Sequence, residues 1–401
     1  MNNKRWDYLI IGAGIIGLTL ARELKERFPS STILLLEKES FIGKHASGRN
    51  SGVLHTGIYY PAETLKAKFC KQGADLLFAY AQEHRIPVRK DGKIIVATSE
   101  AEFQRLDLLL SNAKANQISA VKILESEIRE IEPLASCEYG GIYCKDTAVI
   151  DSQQVLEALR HELKANKIDI IFNQKIMSID DAKQTVQTTG TVYHYGLLIN
   201  AAGSHADKVA KLVHVGPEYV LMPFKGAYYK LNSKIGSNLR MSIYPVPNPD
   251  LPFLGVHLTR DINDDVYIGP TIIPVFGREN YGGIKGVTLR EALGVSTKLC
   301  KLYTRDTQNF RNLTKKAISH SRKSGVIHSV RGLMNQLEPS WVEKSSKIGI
   351  RPQLLNTKDM RLEMDFLIKK GRRSVHVLNS ISPAFTSSFA VAKHIINEIS
   401  R

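Results

Sequence analysis

The N-terminal run Asp7-Tyr-Leu-Ile-Ile-Gly-Ala-Gly-Ile-Ile-Gly-Leu-Thr-Leu-Ala21, followed by Ile33-Leu-Leu-Leu-Glu37, decides the fold. An apolar strand, a turn holding Gly12, Gly14 and Gly17, a helix, a second apolar strand and a terminal acid occur in the order of a dinucleotide-binding βαβ unit. Gly12 permits the tight turn out of the strand, Gly14 lets a pyrophosphate approach the backbone, and Gly17 lets the helix pack closely on the sheet. The phosphates then meet the N–H groups around Ile15 and Ile16 and the positive end of the helix dipole. Glu37 stands twenty residues after Gly17, where a carboxylate accepts from a ribose diol, and Lys38 follows it. The chain is therefore expected to hold a nucleotide cofactor, and no metal-ligand spacing accompanies it.

At 401 residues the chain is long enough for two domains, and its 43% hydrophobic and 23% charged residues are ordinary for a globular protein. The start Met1-Asn-Asn-Lys-Arg-Trp6 lacks signal-peptide character, and no apolar run is long enough to span a bilayer. Four cysteines, Cys70, Cys137, Cys144 and Cys300, have neither metal-site nor disulfide-scaffold spacing, so a reducing, cytoplasmic compartment is expected. The net charge of +16 calls for an anionic substrate, an acidic membrane surface or nucleic acid. Nucleic acid is the weakest of the three, because the basic residues are dispersed and no recognition motif accompanies them. A cofactor-holding RNA-binding or RNA-modifying protein is nonetheless the alternative of a different class. For the membrane, Val326, Val330, Leu333 and Leu337 share a helical face downstream of Lys315, Lys316, Arg322 and Lys323, the pattern of an interfacial helix on the inner membrane face; a core face is the simpler reading of the same spacing.

Periodicity predicts helices over 63–84, 99–116, 125–132, 152–166 and 387–399. Strands are predicted over 168–172, 196–200, 226–231, 256–259 and 374–378, with a hairpin over 88–96 turning at Asp91-Gly92. Residues 216–340 are richer in proline and extended segments. The expected fold class is α/β: a Rossmann-like nucleotide domain from residues 1–80, 150–215 and 341–401, interleaved with a mixed, β-rich α+β substrate domain from 81–149 and 216–340.

Between Gly43 and Tyr60 the chain is dense in glycine, serine and hydrogen-bonding side chains, and it directly follows the βαβ unit. Ser47, Arg49, Asn50, Ser51 and Gly52 are expected to wrap the cofactor, delivering His55, Tyr59 and Tyr60 beyond the phosphates. The strand end Asn200-Ala201-Ala202-Gly203 has side chains small enough to pass against a bound group.

The run Ser47 to Tyr60, with Leu65-Lys-Ala-Lys-Phe-Cys-Lys-Gln-Gly73, resembles the L-2-hydroxyglutarate dehydrogenases and oxidases, flavoproteins of the D-amino-acid-oxidase-like group. The resemblance continues through Pro223-Phe-Lys-Gly-Ala-Tyr-Tyr229, Tyr244-Pro-Val-Pro, Pro252-Phe-Leu-Gly-Val-His-Leu-Thr259, Gly349-Ile-Arg-Pro-Gln353 and Leu378 to Ser388. It departs from the usual pattern at Ala46-Ser47, Thr271-Ile272 and Phe385. The resemblance implies FAD as cofactor, with the backbone of Ile176 at the adenine, and Gly349, Arg351, Thr386, Ser387 and Ser388 near the flavin ring. It implies oxidation of a small dicarboxylate 2-hydroxy acid, with electrons passing to a quinone or oxygen; an amino acid or glycerol 3-phosphate is the alternative substrate. Such chemistry needs a base near working pH and cations for two carboxylates. His55 is the expected base and His257 an orienting partner, with Tyr60, Lys225 and Arg351 holding the substrate.

Overall fold

The computed structural model describes residues 4–136 and 138–400, so Cys137 lies outside the described residues. The chain forms two compact units, one from Met1–Arg49, Ser152–Pro223 and Arg351–Arg401 and the other from Asn50–Asp151 and Phe224–Ile350. Strands Tyr219–Leu231 and Val342–Asn356 carry the chain from one unit into the other.

In the first unit, strand Arg5–Ile11 lies between Val192–Asn200 and Ile33–Leu36, parallel to both, and Asp169–Ile171 continues the sheet beyond Ile33–Leu36. Ser374–Asn379 runs parallel to the far half of Val192–Asn200, and the antiparallel pair Ile176–Asp180 and Thr185–Thr188 extends from its near half. All four residues of Ile33–Leu36 are buried, as expected for a parallel strand covered on both faces. Helix Ile15–Arg27 packs against Ser152–Ala165 and Ala384–Ile399. Arg22 Nε and Glu162 Oε1, 2.9 Å apart, pin the first of these contacts. Trp6, Leu9, Ile11, Leu34, Leu36, Tyr195 and Leu198 belong to one apolar cluster of this unit.

The second unit is built on a mixed sheet in the order Tyr219–Leu231, Val266–Gly269, His257–Arg260, Ser242–Pro245, Lys93–Val96, Gly141–Cys144 and Ala120–Ile123. Strand alternation gives it two faces. Ile94, Val96, Ile243, Leu258 and Ile268 face a core completed by Val326, Val330, Leu333 and Leu337. On the opposite face, Ile95, Ala97, Ile142, Cys144 and Tyr244 pack with Ile58 and with Leu106, Leu109 and Ala113 of helix Glu100–Ala115.

Three expectations change and one ambiguity is resolved. The Asp91-Gly92 turn is not a hairpin: Val88–Arg89 pairs with Ala148–Ile150, whereas Lys93–Val96 pairs with Gly141–Cys144 and Ser242–Pro245. Gly92, at φ +75, redirects the chain between two sheets. The helical face of Val326 to Leu337 is core, the simpler of its two readings, because it closes the larger apolar cluster of this unit. Residues 50–80 group with the second unit, since Val53–Leu54 pairs with Ala148–Ile150. The C-terminal helix starts at Ala384, behind Pro383, rather than at Ser387, so Thr386, Ser387 and Ser388 lie within its first five residues.

Candidate functional site

Three backbone approaches shape the nucleotide cradle of the first unit. Gly12 has φ +103, and a Cβ there would stand 2.6 Å from the carbonyl oxygen of Ala201. A Cβ on Gly17 would stand 1.9 Å from the Gly12 carbonyl oxygen, and one on Gly14 3.0 Å from Ser47 Oγ. Helix Ile15–Arg27 begins behind Gly14 with no side-chain cap and no acid in its first turn. Ser47 Oγ accepts from the Ile15 N–H at 2.9 Å. Helix geometry leaves the other first-turn N–H groups without intrahelical acceptors, which is the condition for binding an anion.

Glu37, 9% exposed, accepts from the Ala13 N–H at 2.8 Å through Oε2 and from the Glu39 N–H at 2.9 Å through Oε1. It thereby locks the glycine turn to the end of the second strand, and each oxygen retains a lone pair for a ribose hydroxyl. Lys38 forms an ion pair with Glu39, and Arg49 Nε donates to the Lys44 carbonyl at 3.0 Å, folding that loop back on itself. Ala201 and Ala202 lead into a short turn at Gly203, where a Cβ would meet nothing within 4 Å. Beneath them Asn200 donates through Nδ2 to the Ala206 carbonyl at 2.8 Å and to His376 Nδ1 at 3.0 Å. Nδ1 must then be the acceptor, and Nε2–H donates to Ser374 Oγ at 2.9 Å. Burial pulls the His376 pKa down to about 4.

Thr386, Ser387 and Ser388 are almost wholly buried, and Ser387 Oγ has no hydrogen-bond partner among the described residues. Ile176 opens a strand opposite Thr188, next to a bulge. Arg351 is half-buried at the start of the third segment of this unit.

In the second unit the loop after Arg49 is folded by its own side chains. Asn50 Oδ1 accepts from the Gly52 N–H at 2.8 Å and Ser51 Oγ from the Val53 N–H at 3.4 Å. Gly52, at φ +74, passes so close to Ile150 that a Cβ would stand 2.8 Å from its carbonyl oxygen. Besides the cofactor contacts expected of them, Asn50 and Ser51 thus have a local structural role, building the turn that leads into Val53–Leu54. His55 directly follows that strand, and its carbonyl accepts from the Cys70 thiol at 3.2 Å. The Tyr60 ring lies under Lys66 Nζ at 4.7 Å.

His257 opens strand His257–Arg260 and stacks on Tyr244, with ring centroids 4.0 Å apart and planes 19° apart. Its Nδ1–H donates to the Gly255 carbonyl at 2.8 Å, which leaves Nε2 as a bare acceptor. Burial, aided by the nearby charge of Lys93, pulls its pKa down to about 4. Lys225 and Gly349 are half-buried, and Lys225 pairs through its backbone with Ile273. Lys93, which sequence reasoning did not single out, is fully buried in a strand buried at all four positions. Lys93 shares the sheet face of Ile95, with which it alternates.

The FAD dependent oxidoreductase family matches residues 7–398. L-2-hydroxyglutarate dehydrogenase of Escherichia coli strain K12 is 32% identical over 399 residues, covering 98% of this chain and 93% of the relative. The mitochondrial L-2-hydroxyglutarate dehydrogenase of Homo sapiens is 30% identical over 419 residues, covering 99% and 89%. Among solved structures, the L-alpha-glycerophosphate oxidase of Mycoplasma pneumoniae with FAD bound superposes with a TM-score of 0.77 at 21% identity, covering 99% of this chain and 95% of that one, a likeness of fold.

Gly17→Ala is expected to yield protein depleted of bound cofactor, because its methyl group collides with the backbone that forms the cradle; absorbance of the purified protein measures this. A second expectation concerns acid. His376 and His257 titrate near 4 in the folded chain and near 6.5 when unfolded, so the unfolded chain binds more protons between those values. Stability therefore falls as pH drops from about 6.5 to 4, by on the order of 3 kcal/mol for each histidine. Urea unfolding at several pH values should show His376→Asn less stable than the parent at pH 7, with a flatter acid decline.

Proposed function

The chain belongs to the FAD-dependent oxidoreductase family, and from that premise we propose that it oxidises L-2-hydroxyglutarate to 2-oxoglutarate. The observation that carries this reading is likeness to L-2-hydroxyglutarate dehydrogenases over almost the whole of both chains, at 32% identity for the bacterial relative. FAD is the cofactor, and the cradle fits it: the glycines leave no side chain where a pyrophosphate must approach, and Glu37 is positioned for a diol. When bound, FAD supplies the acceptor for the hydride that leaves C2.

The remaining chemistry falls to side chains. Oxidation of C2 releases the hydroxyl proton, which we assign to His55. His257 is too weakly basic for that role and carries a bare Nε2, which suits it to accept a hydrogen bond from the hydroxyl and orient it. Lys225, Arg351 and Tyr60 supply cationic and hydroxyl donors for an acidic substrate. Electrons then pass to a quinone or oxygen. Anaerobic titration of the yellow enzyme tests the reading: L-2-hydroxyglutarate should bleach the flavin band and its D enantiomer should not. Bleaching by an amino acid or glycerol 3-phosphate in its place overturns the reading. His55→Ala should retain FAD yet slow bleaching by at least about 100-fold.

A contact with an acidic membrane surface is part of the proposal, on a surface other than the one read from sequence. Among the described residues no helix is long and apolar enough to cross a membrane. Helix Leu289–Arg305, however, buries Val295 and Leu302 and turns Leu289, Leu293, Ser296, Thr297, Cys300, Tyr303 and Thr304 outward, an uncharged stripe on which Leu289 is 78% and Leu293 59% exposed. Between Lys285 and Arg331 the sequence holds eleven basic residues and two acidic ones, more than half of the chain's net excess of +16. Exposed apolar side chains beside concentrated positive charge fit an anionic lipid surface. The protein should sediment with phosphatidylglycerol vesicles at low salt and be released at high salt, with Leu293→Asp weakening sedimentation; equal recovery with and without vesicles removes the membrane contact.

A further inference from the structure

Lys93 is fully buried, and no carboxylate accompanies it among the described residues. Its ammonium lies 4.5 Å from the ring centroid of Tyr59 and 4.9 Å from that of Tyr244, and the Tyr244 ring is stacked in turn on His257. The rings favour a cation but do not neutralise it. Two thiols that act on the charge, Cys70 and Cys144, could do so only as thiolates, yet burial pushes them up to about 12 and about 11. The Tyr59 hydroxyl is buried with no hydrogen-bond partner among the described residues, the Tyr244 hydroxyl lies beside that of Thr259, and burial keeps both phenols protonated. A desolvated cation and two phenol hydroxyls thus sit in one cluster, and the strand of Lys93 lies two pairings from that of His257, with the strand of Tyr244 between them. A buried charge without a counter-charge opposes folding and is characteristic of sites that work on a ligand.

We propose that Lys93 receives one carboxylate of the substrate, with the hydroxyls of Tyr59 and Tyr244 as flanking donors. The inference rests on the dicarboxylate reading above and adds the residue that anchors one end of it. An anion is what this cluster lacks: a carboxylate accepts from an ammonium and from two phenols at once. Tyr59 is only half-buried, and a rotamer change there uncovers the ammonium for the incoming group. Binding at Lys93 also restores the lysine's hold on its proton, which burial alone weakens.

The test uses FAD-loaded enzyme and glutarate, a five-carbon dicarboxylate with no hydroxyl to oxidise, with binding read by calorimetry. Lys93→Met is expected to bind glutarate about 100-fold more weakly than the parent, with FAD content unchanged. Lys93→Met with parental glutarate affinity overturns the proposal. Should Lys93→Met fail to fold, Tyr59→Phe and Tyr244→Phe carry the test: each removes one donor and should weaken glutarate by about 10-fold, and parental affinity in both overturns it. A parent enzyme that binds neither glutarate nor L-2-hydroxyglutarate refutes the substrate reading instead. Acetate then decides on Lys93: weaker binding to the methionine variant sustains the anion site, and equal binding removes it.

Discussion

The nucleotide unit depends on one constraint: backbones must come within contact distance where the first strand, the first helix and the end of Val192–Asn200 converge. Gly12 and Gly17 satisfy it by having no side chain, the first against Ala201 and the second against Gly12 itself. Because those distances are shorter than any Cβ tolerates, the arrangement has no slack for a larger residue. Glu37 then fixes the turn from the other side by accepting from Ala13, so that this acid holds the glycine loop in shape. Burial of its carboxylate is tolerable because both oxygens have N–H donors.

The second unit obeys a different economy. One face of its sheet is apolar throughout, closed by Val326 to Leu337. The other admits polar side chains among apolar ones, and His257, Tyr244 and Lys93 share it with Ile95 and Ile142. His257 is settled there by donating to Gly255, whereas Lys93, among the described residues, meets aromatic faces and two protonated thiols but no carboxylate. That contrast separates a polar residue accommodated by the fold from one that the fold leaves in want of a partner.

Much of this was legible in the sequence. The βαβ unit announces itself because strand, turn and helix are each local and strongly patterned, and the helices at Leu65–Glu83, Glu100–Ala115 and Ser152–Ala165 end within a residue or two of their periodicity. Asp91-Gly92 misled because a turn dipeptide specifies a local reversal but not which strands pair on either side of it. Val326 to Leu337 was ambiguous for a related reason: an amphipathic face has the same spacing whether it covers a core or a membrane. The exposed stripe of Leu289–Arg305 and the burial of Lys93 were hidden because both depend on which side of an element meets the rest of its unit, and a four-residue strand carries too little alternation to tell. The turn-building roles of Asn50 and Ser51 were likewise out of reach, since a side chain bonded to its own loop and one reserved for a ligand have the same composition.

The first unit is assembled from three stretches of chain, and its central strand pairs with Val192–Asn200, which itself borders Ser374–Asn379. During synthesis, therefore, Arg5–Ile11 and Ile33–Leu36 leave the ribosome long before their neighbours exist. At roughly 5–20 residues per second, on the order of tens of seconds separate the first strand from the last. Two strongly apolar strands wait through that interval with open edges, and the coenzyme cradle cannot close until Val192–Asn200 has been made.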